Sequence, residues 1–219
     1  RSALTSTATP LLGGWAGAGR INAAAALDIS RSMRIASDAV PPRAAFASPS
    51  GNALVRGSVV VTGTASDDVG VTKVELLADG KVVAVDRAAP YALTWRTTAL
   101  RGKKVVLGLR AYDRGGNVTT ATRTVRVDNA APAVRVTSGP ANGTRGVRKT
   151  KKIAARATDA NGIRSMELLV NGKIVQRYAG AARTFSVATA KFGKSMTVRI
   201  RAYDKAGNVA YTPTRKWYR

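Results

Sequence analysis

The 219 residues carry 36 lysines and arginines against 12 aspartates and glutamates, a formal net charge of +24, and contain neither histidine nor cysteine. Without those two residue types there is no Ser-His-Asp or Cys-His nucleophile pair, no thiolate metal site, no disulfide and no imidazole proton shuttle. The apolar fraction of 45% leans on Ala and Val, and together with 21 glycines it describes a chain of strands and turns. This length accommodates one or two domains. No apolar run approaches the roughly 18 residues of a membrane span, and no charged-apolar-small leader opens the chain. Because the chain begins with Arg1 in place of Met, it is expected to be a piece of something longer or processed.

In chain order, Gly13, Gly14, Gly17 and Gly19 make a loop, and Ala23-Ala24-Ala25-Ala26-Leu27 follows as a short helix-former run with Asn22 placed to cap it. From Ser30 to Arg43 the residues are polar and basic and end in Pro41-Pro42, which reads as a linker. An internal repeat begins after it, with an offset of 91 to 92 residues. Val74-Glu75-Leu76-Leu77-Ala78-Asp79-Gly80-Lys81-Val82-Val83 returns as Met166-Glu167-Leu168-Leu169-Val170-Asn171-Gly172-Lys173-Ile174-Val175. Arg110-Ala111-Tyr112-Asp113 and Asn117-Val118 return as Arg201-Ala202-Tyr203-Asp204 and Asn208-Val209. The expected division is therefore a leading piece over 1–29, a linker over 30–43, and two copies of one module over 44–129 and 130–219.

Each copy reads as antiparallel β. Val59, Val61, Gly63 and Ala65, matched by Lys151, Ile153, Ala155 and Ala157, give one strand, and turns follow at Asp67–Gly70 and Asp159–Gly162. Asp79-Gly80 and Asn171-Gly172 lie between apolar runs and tolerate the positive φ at both central positions of a type I′ hairpin. Val105, Leu107, Leu109 and Ala111, matched by Met196, Val198, Ile200 and Ala202, alternate with more polar residues, the pattern of a half-buried strand. About seven short strands per copy predict two tandem immunoglobulin-like antiparallel sandwiches. Packing of Trp95 and Phe185 is expected to stand in for the absent disulfide.

Two resemblances rest on these residues. Leu4-Thr5-Ser6-Thr7-Ala8-Thr9 followed by Gly17-Ala18-Gly19-Arg20-Ile21-Asn22-Ala23-Ala24-Ala25-Ala26-Leu27 resembles the C-terminal end of a subtilisin-like serine peptidase domain. That resemblance implies a secreted parent protease whose catalytic segments are not among these residues; it places no catalytic residue here. Ala65–Val71, Val74-Glu75-Leu76, Asp79-Gly80, Pro90–Trp95 and Ala111-Tyr112-Asp113 with Gly116-Asn117-Val118 resemble the bacterial Ig-like modules appended to secreted hydrolases and adhesins. The second copy departs from them where Arg183-Thr184-Phe185-Ser186-Val187 replaces the Pro-Tyr-to-Trp element, which leaves that strand's register open.

Charge is distributed unevenly: residues 1–43 carry +3, residues 44–129 carry +5 and residues 130–219 carry +16. Arg145, Arg148, Lys149, Lys151 and Lys152, with Arg199 and Arg201 on one strand face, form the candidate polyanion-binding set. The competing reading is a solvated face that serves solubility. No RRM, KH, helix-turn-helix or zinc-finger pattern supports specific nucleic-acid recognition. Tyr112 and Tyr203 each share a face with the arginine two positions earlier, which permits cation–π contact, although packing at a strand end is the preferred reading.

Asp67, Asp68, Asp113, Asp159 and Asp204 are read as turn-shaping residues whose carboxylates bond nearby amides, with a calcium site as the alternative. Glu75 and Glu167 are expected to face Lys or Arg across a strand. No cofactor is expected, and the function read from the chain is a non-catalytic, extracellular spacer and attachment region. Its expected partners are an anionic polymer or cell-wall surface and an upstream protease domain. The alternative is a pair of modules that dock on that protease and stabilise it without binding a ligand.

Overall fold

The computed structural model describes Ala8–Thr9, Arg20–Ile21 and residues 38–219. Strands β1 (Ala8–Thr9) and β2 (Arg20–Ile21) pair antiparallel. The helix expected over Ala23–Leu27 and its Asn22 cap lie outside the described residues. The first module comprises β3 (Arg43–Ser48), β4 (Leu54–Val55), β5 (Ser58–Ser66), β6 (Val71–Ala78), β7 (Lys81–Asp86), β8 (Tyr91–Arg96), β9 (Lys103–Asp113) and β10 (Val118–Val127). The second comprises β11 (Ala133–Ser138), β12 (Thr150–Thr158), β13 (Ile163–Val170), β14 (Lys173–Ala179), β15 (Ala182–Ala188), β16 (Ser195–Asp204), β17 (Val209–Tyr211) and β18 (Arg215–Tyr218).

In the first module a sheet ordered β3-β5-β8 packs against one ordered β4-β10-β9-β6-β7; in the second, β11-β12-β15 packs against β14-β13-β16, with β17 and β18 both on β16. The expected pair of antiparallel sandwiches is what forms. Local chemistry explains much of it. Asp79 and Gly80 adopt φ of 47° and 80°, Asn171 and Gly172 of 49° and 77°, and each turn's acidic or amide side chain accepts the backbone N–H of the neighbouring strand, at Val106 and at Thr197. Period two then decides the faces: Tyr91, Leu93 and Trp95 point into the core while Ala92, Thr94 and Arg96 point out.

The strand that departs in the second copy keeps its place. Leu93 lies opposite Val61 and Phe185 opposite Ile153, so the 92-residue offset holds through β15. Phe185 thus occupies the position of Leu93, and Val187 that of Trp95. The lost bulk returns on another strand, because Trp217 lies opposite Met196 where Val125 lies opposite Val105. All four side chains are buried. Each core therefore keeps one tryptophan, on β8 in the first module and on β18 in the second, which conserves core volume at packing densities that tolerate few voids.

The modules meet through side-chain hydrogen bonds. Asn208 donates from Nδ2 to the Asp128 carbonyl and to Asp204 Oδ2, both at 2.8 Å, and Asp204 Oδ1 accepts from the backbone N–H groups of Gly207 and Asn208. Asn161 Nδ2 donates to Asp128 Oδ2 at 2.8 Å, and Arg126 reaches Asn161 Oδ1 at 3.0 Å. The same device opens the first module, where Asn117 Nδ2 donates to the Asp38 carbonyl and to Asp113 Oδ2. Because Ala133 of β11 lies opposite Thr158, the ends Thr158, Ile163 and Asp204 face the junction. The opposite ends, at Thr150, Ala188, Ser195 and Tyr218, form the far tip of the second module.

On the outer face of the larger first sheet Glu75 accepts from Lys73 Nζ (2.6 Å), Arg110 Nη2 (2.6 Å) and the Tyr112 hydroxyl (3.0 Å). Burial alone would raise its carboxyl, but these three donors hold it down, to about 2 against an ordinary 4.5. A depressed folded-state value stabilises the fold above pH 4.5, and that contribution fades as pH falls toward 2.

Glu75→Gln is therefore expected to cost up to roughly 3 kcal/mol at neutral pH, a loss that shrinks to nothing as pH falls toward 2. Urea titrations at several pH values check it; a pH-independent difference would contradict the assignment. Asn208→Ala orphans the buried Asp128 carbonyl and one Asp204 oxygen and should cost about 2 kcal/mol, more than Asn117→Ala at the half-buried counterpart. Chemical denaturation of both variants tests that order.

Candidate polyanion-binding surface

The far tip of the second module is assembled from three segments distant in sequence. Ahead of β12, the loop is pinned to β18: Gly143 N–H donates to the Lys216 carbonyl (2.8 Å), Tyr218 N–H to Thr144 (2.9 Å) and Val147 N–H to Tyr218 (2.8 Å), with Val147 buried beneath. After β15, a single 3-10 turn over Thr189–Lys191 is held because Thr189 donates from N–H (3.4 Å) and Oγ1 (2.7 Å) to the Lys149 carbonyl. Next to it, Arg219 N–H donates to the Lys194 carbonyl at 2.9 Å, and its guanidinium lies 3.5 Å from the Ala190 carbonyl. Between these segments opens a cleft of about 490 Å³ lined by Arg148, Lys149, Thr189, Ala190, Lys194 and Arg219.

Four of the six lining residues are cationic and none is acidic. The carboxylates of residues 130–219 are Asp159, Glu167 and Asp204, and all three are engaged elsewhere. Asp159 and Asp204 lie at the junction, within 4.8 Å of Asp128. Glu167 is fully buried in the middle of the outer sheet, gripped by Arg177 and Arg201. The tip cations thus have no side-chain counter-charge in their own module.

Of the predicted set, Arg148 and Lys149 line this cleft, while Arg145 does not, its guanidinium lying 4.8 Å from the centre of the Tyr218 ring. Lys151 and Lys152 begin β12 but point to opposite faces: Lys151 is half-buried on the core-facing parity and Lys152 exposed on the other. Arg199 and Arg201 are not brought to the tip. Arg201 donates to Glu167 from Nε (2.6 Å) and Nη2, and Arg199 lies 3.9 Å over the Tyr211 ring. The arginine–tyrosine contacts that the spacing permits at Tyr112 and Tyr203 form, at 5.5 and 5.2 Å, where packing at a strand end is the preferred reading of the sequence. Sequence reasoning missed Lys194 and Arg219, which sit far from the 145–152 run in sequence and reach the cleft only through strand pairing.

Among the described residues two groups of carboxylates have the spacing to hold a hard cation: Asp38, Asp67 and Asp68, and Asp128, Asp159 and Asp204. Their oxygens also shape turns. Asp67 Oδ1 accepts from Val69 and Gly70, Asp159 Oδ1 from Asn161, and Asp128 Oδ1 from Ala130.

Residues 42–127 match the family described as Bacterial Ig domain, and residues 144–218 the one described as Bacterial Ig-like domain. The chain carries two bacterial Ig-like domains in tandem, non-catalytic sandwiches of a kind typical of extracellular proteins. No curated protein matches it in sequence. Among solved structures, the fibronectin(III)-like modules of Clostridium thermocellum CbhA share 19% identity over 80% of this chain and 93% of theirs, with a TM-score of 0.52, a likeness of fold. Latent PorU of Porphyromonas gingivalis (14% identity, 85% of this chain, 21% of that one, TM-score 0.35) and the Bacteroides ovatus glucan-locus protein SGBP-B with bound heptasaccharide (14%, 80%, 47%, 0.32) are more distant. No helix among the described residues is long and apolar enough to cross a membrane.

Arg201→Ala leaves the fully buried Glu167 with Arg177 alone and is expected to cost on the order of 3 kcal/mol. Arg199→Ala removes a cation–π contact and should cost nearer 1 kcal/mol. Denaturant midpoints of the two variants measure the difference, and equal losses would show that Glu167 does not depend on Arg201.

Proposed function

We propose that these two bacterial Ig-like domains act as a spacer that carries an attachment surface for anionic polymers of a cell wall or substrate, borne by the second domain. The observation that supports this most is the separation of charge within that domain. Its +16 excess includes a tip where Arg148, Lys149, Lys194 and Arg219 converge on one cleft, while the side-chain carboxylates of the domain are bound at the junction or on the outer sheet. A surface charged only for solubility gains nothing by gathering like charges, since they repel one another; spreading them or mixing signs serves that end better. A polymer with closely spaced anions relieves the repulsion and releases its counterions, so binding is strong at low salt and falls as salt rises.

The first domain has the complementary part in this reading. Its charge excess is only +5, and its junction hydrogen bonds hold the second domain outward with the tip facing away. We place the pair in a secreted, subtilisin-like peptidase, on the resemblance carried by Leu4–Thr9 and Gly17–Leu27. A peptidase domain ahead of residue 1 in the same reading frame is the observation that checks that part.

The chain of residues 1–219 is expected to be retained on immobilised heparin and on anionic cell-wall polymer at low ionic strength and to elute as salt is raised. Replacing Arg148, Lys149 and Lys194 together by Glu should abolish retention, while the same number of reversals on the first domain should only shift elution. A wild-type chain that passes through both matrices unretained at low salt would refute the attachment role.

A further inference from the structure

The outer face of the larger sheet in the second domain carries arginines that the first domain does without, and the strand registers show which residues correspond. Arg199 lies opposite Leu169 as Gly108 lies opposite Leu77, and Tyr211 lies opposite Arg201 as Thr120 lies opposite Arg110. Arg177 faces Glu167 where Val85 faces Glu75, and Arg164 fills the bulge before Ser165 where Thr72 fills the one before Lys73. Both faces keep the carboxylate and its Arg-x-Tyr pair: Glu75 with Arg110 and Tyr112, Glu167 with Arg201 and Tyr203. One cation moves the other way, Ser165 standing where the first domain has Lys73. The first domain builds the same strands with valine, glycine and threonine at the changed positions, so the fold does not call for these three arginines or for Tyr211.

Tyrosines order the added charges. The Arg199 guanidinium lies 3.9 Å over the Tyr211 ring, and those of Arg164 and Arg201 lie 5.1 and 5.2 Å over Tyr203. Arg199 and Tyr211 stand together in place of Gly108 and Thr120, and each rests on the other. Glu167 is the carboxylate of this face, and Arg177 and Arg201 already share it. Among the described residues Arg199 Nε is buried with no acceptor, and Arg164 has no acidic partner; a buried donor without an acceptor is costly and rare in folded proteins. Beside these cations Tyr211 and Ile174 stay 44% and 48% exposed. The segment that leaves the first domain turns away from the corresponding face, since Asn129 bonds at Gly57, Thr97 and Leu100, none of which belongs to that sheet. A Cβ at Gly108 would instead have Leu77 and Thr120 of its own sheet as nearest neighbours.

We propose that this face is a second binding surface, for an acidic polysaccharide of the polyuronate class. Guanidinium groups take a planar carboxylate through two parallel N–H···O bonds, a geometry that an ammonium group does not match, and the four cations around Glu167 and Tyr211 are all arginine. Stacked over tyrosine rings, Arg164 and Arg199 are positioned before a ligand arrives, so little rotamer freedom is lost on binding. Carboxylates of the polymer meet Arg164 and Arg199, and the apolar C–H faces of its sugar rings cover Tyr211 and Ile174. A flat sheet face suits an extended polymer, where a compact ligand needs a concave pocket. The inference goes beyond the tip cleft and does not rest on it.

Binding of the 1–219 chain to polygalacturonate at about 0.15 M salt, where exposed charges more than about 8 Å apart are screened, tests it. Arg164→Gln with Arg199→Gln should lower affinity about tenfold, whereas Lys149→Gln with Lys194→Gln, an equal change of charge at the tip, should leave it within about twofold. Tyr211→Thr, which restores the residue of the first domain and changes no charge, should lose about threefold. Arg164→Gln alone, at an exposed bulge, keeps the test readable where the strand variants melt lower; it should lose about threefold at an unchanged melting temperature. Polyglutamate, which offers carboxylates without sugar rings, and oligothymidylate, which offers rings on a phosphate backbone, should both bind more weakly than polygalacturonate. A chain retained on heparin that does not bind polygalacturonate overturns this face and leaves the tip cleft standing. Arginine variants of the face that bind no more weakly than the tip variants overturn it too. Polyglutamate or oligothymidylate bound as tightly as polygalacturonate overturns the ligand assigned to it.

Discussion

Asn208 Nδ2, bonded at 2.8 Å to the carbonyl of Asp128 and to Asp204 Oδ2, is the constraint on which the tandem depends. The amide bridges the segment that enters the second domain and the loop that follows β16, and it does so where water is excluded, so breaking it leaves polar groups without partners. Asn117 does the same for the segment entering the first domain. One device therefore sets how the chain approaches each sandwich. With the β16 end held at the junction, antiparallel pairing puts the starts of β12 and β16 and the ends of β15 and β18 at the opposite pole.

The division of labour between poles follows from solvation. The junction carboxylates of Asp128 and Asp204 are buried and hydrogen-bonded to backbone amides, which suits groups that must fix geometry. Tip cations are exposed except where their stems pack, and in water a pair of like charges at about 4 Å costs only near 1 kcal/mol. A sandwich whose core is closed by Phe185, Trp217 and Met196 can carry that repulsion. The reverse arrangement, with the cations buried at a junction, would be prohibitive.

What the sequence discloses follows the range over which each signal acts. The Asp79-Gly80 and Asn171-Gly172 hairpins and the β9 and β16 alternation are local, and the residues alone predict them. The core anchors were half legible: Trp95 and Phe185 are buried as expected, but Phe185 answers to Leu93, and Trp217, which replaces the bulk of Trp95, belongs to a strand well past Val187, the position that matches Trp95. Such an exchange shows only when registers on two sheets are known. The binding set behaves likewise. A basic run reads directly as Arg145 to Lys152, yet Arg199 and Arg201 share its charge and not its location, since period two sends them to a sheet face where Glu167 and Tyr211 hold them. Lys194 and Arg219 join the run through pairings that no spacing announces.

Duplication gives the divergence between the domains its meaning. Two copies that share a corner, a threonine pair of hydrogen bonds and the same left-handed φ place the same demands on the backbone, so a side chain present in one and absent in the other is free of the fold's requirements. The corner survives substitution because its hydrogen bonds run to the carbonyl of residue 57 or 149 and never to its side chain. In the first domain Asn129 from the connecting segment ties the corner from outside, its Oδ1 accepting from Gly57 N–H and its Nδ2 donating to the Thr97 carbonyl. A scaffold held by main-chain bonds and a buried core can change the side chain at such a corner without altering its topology.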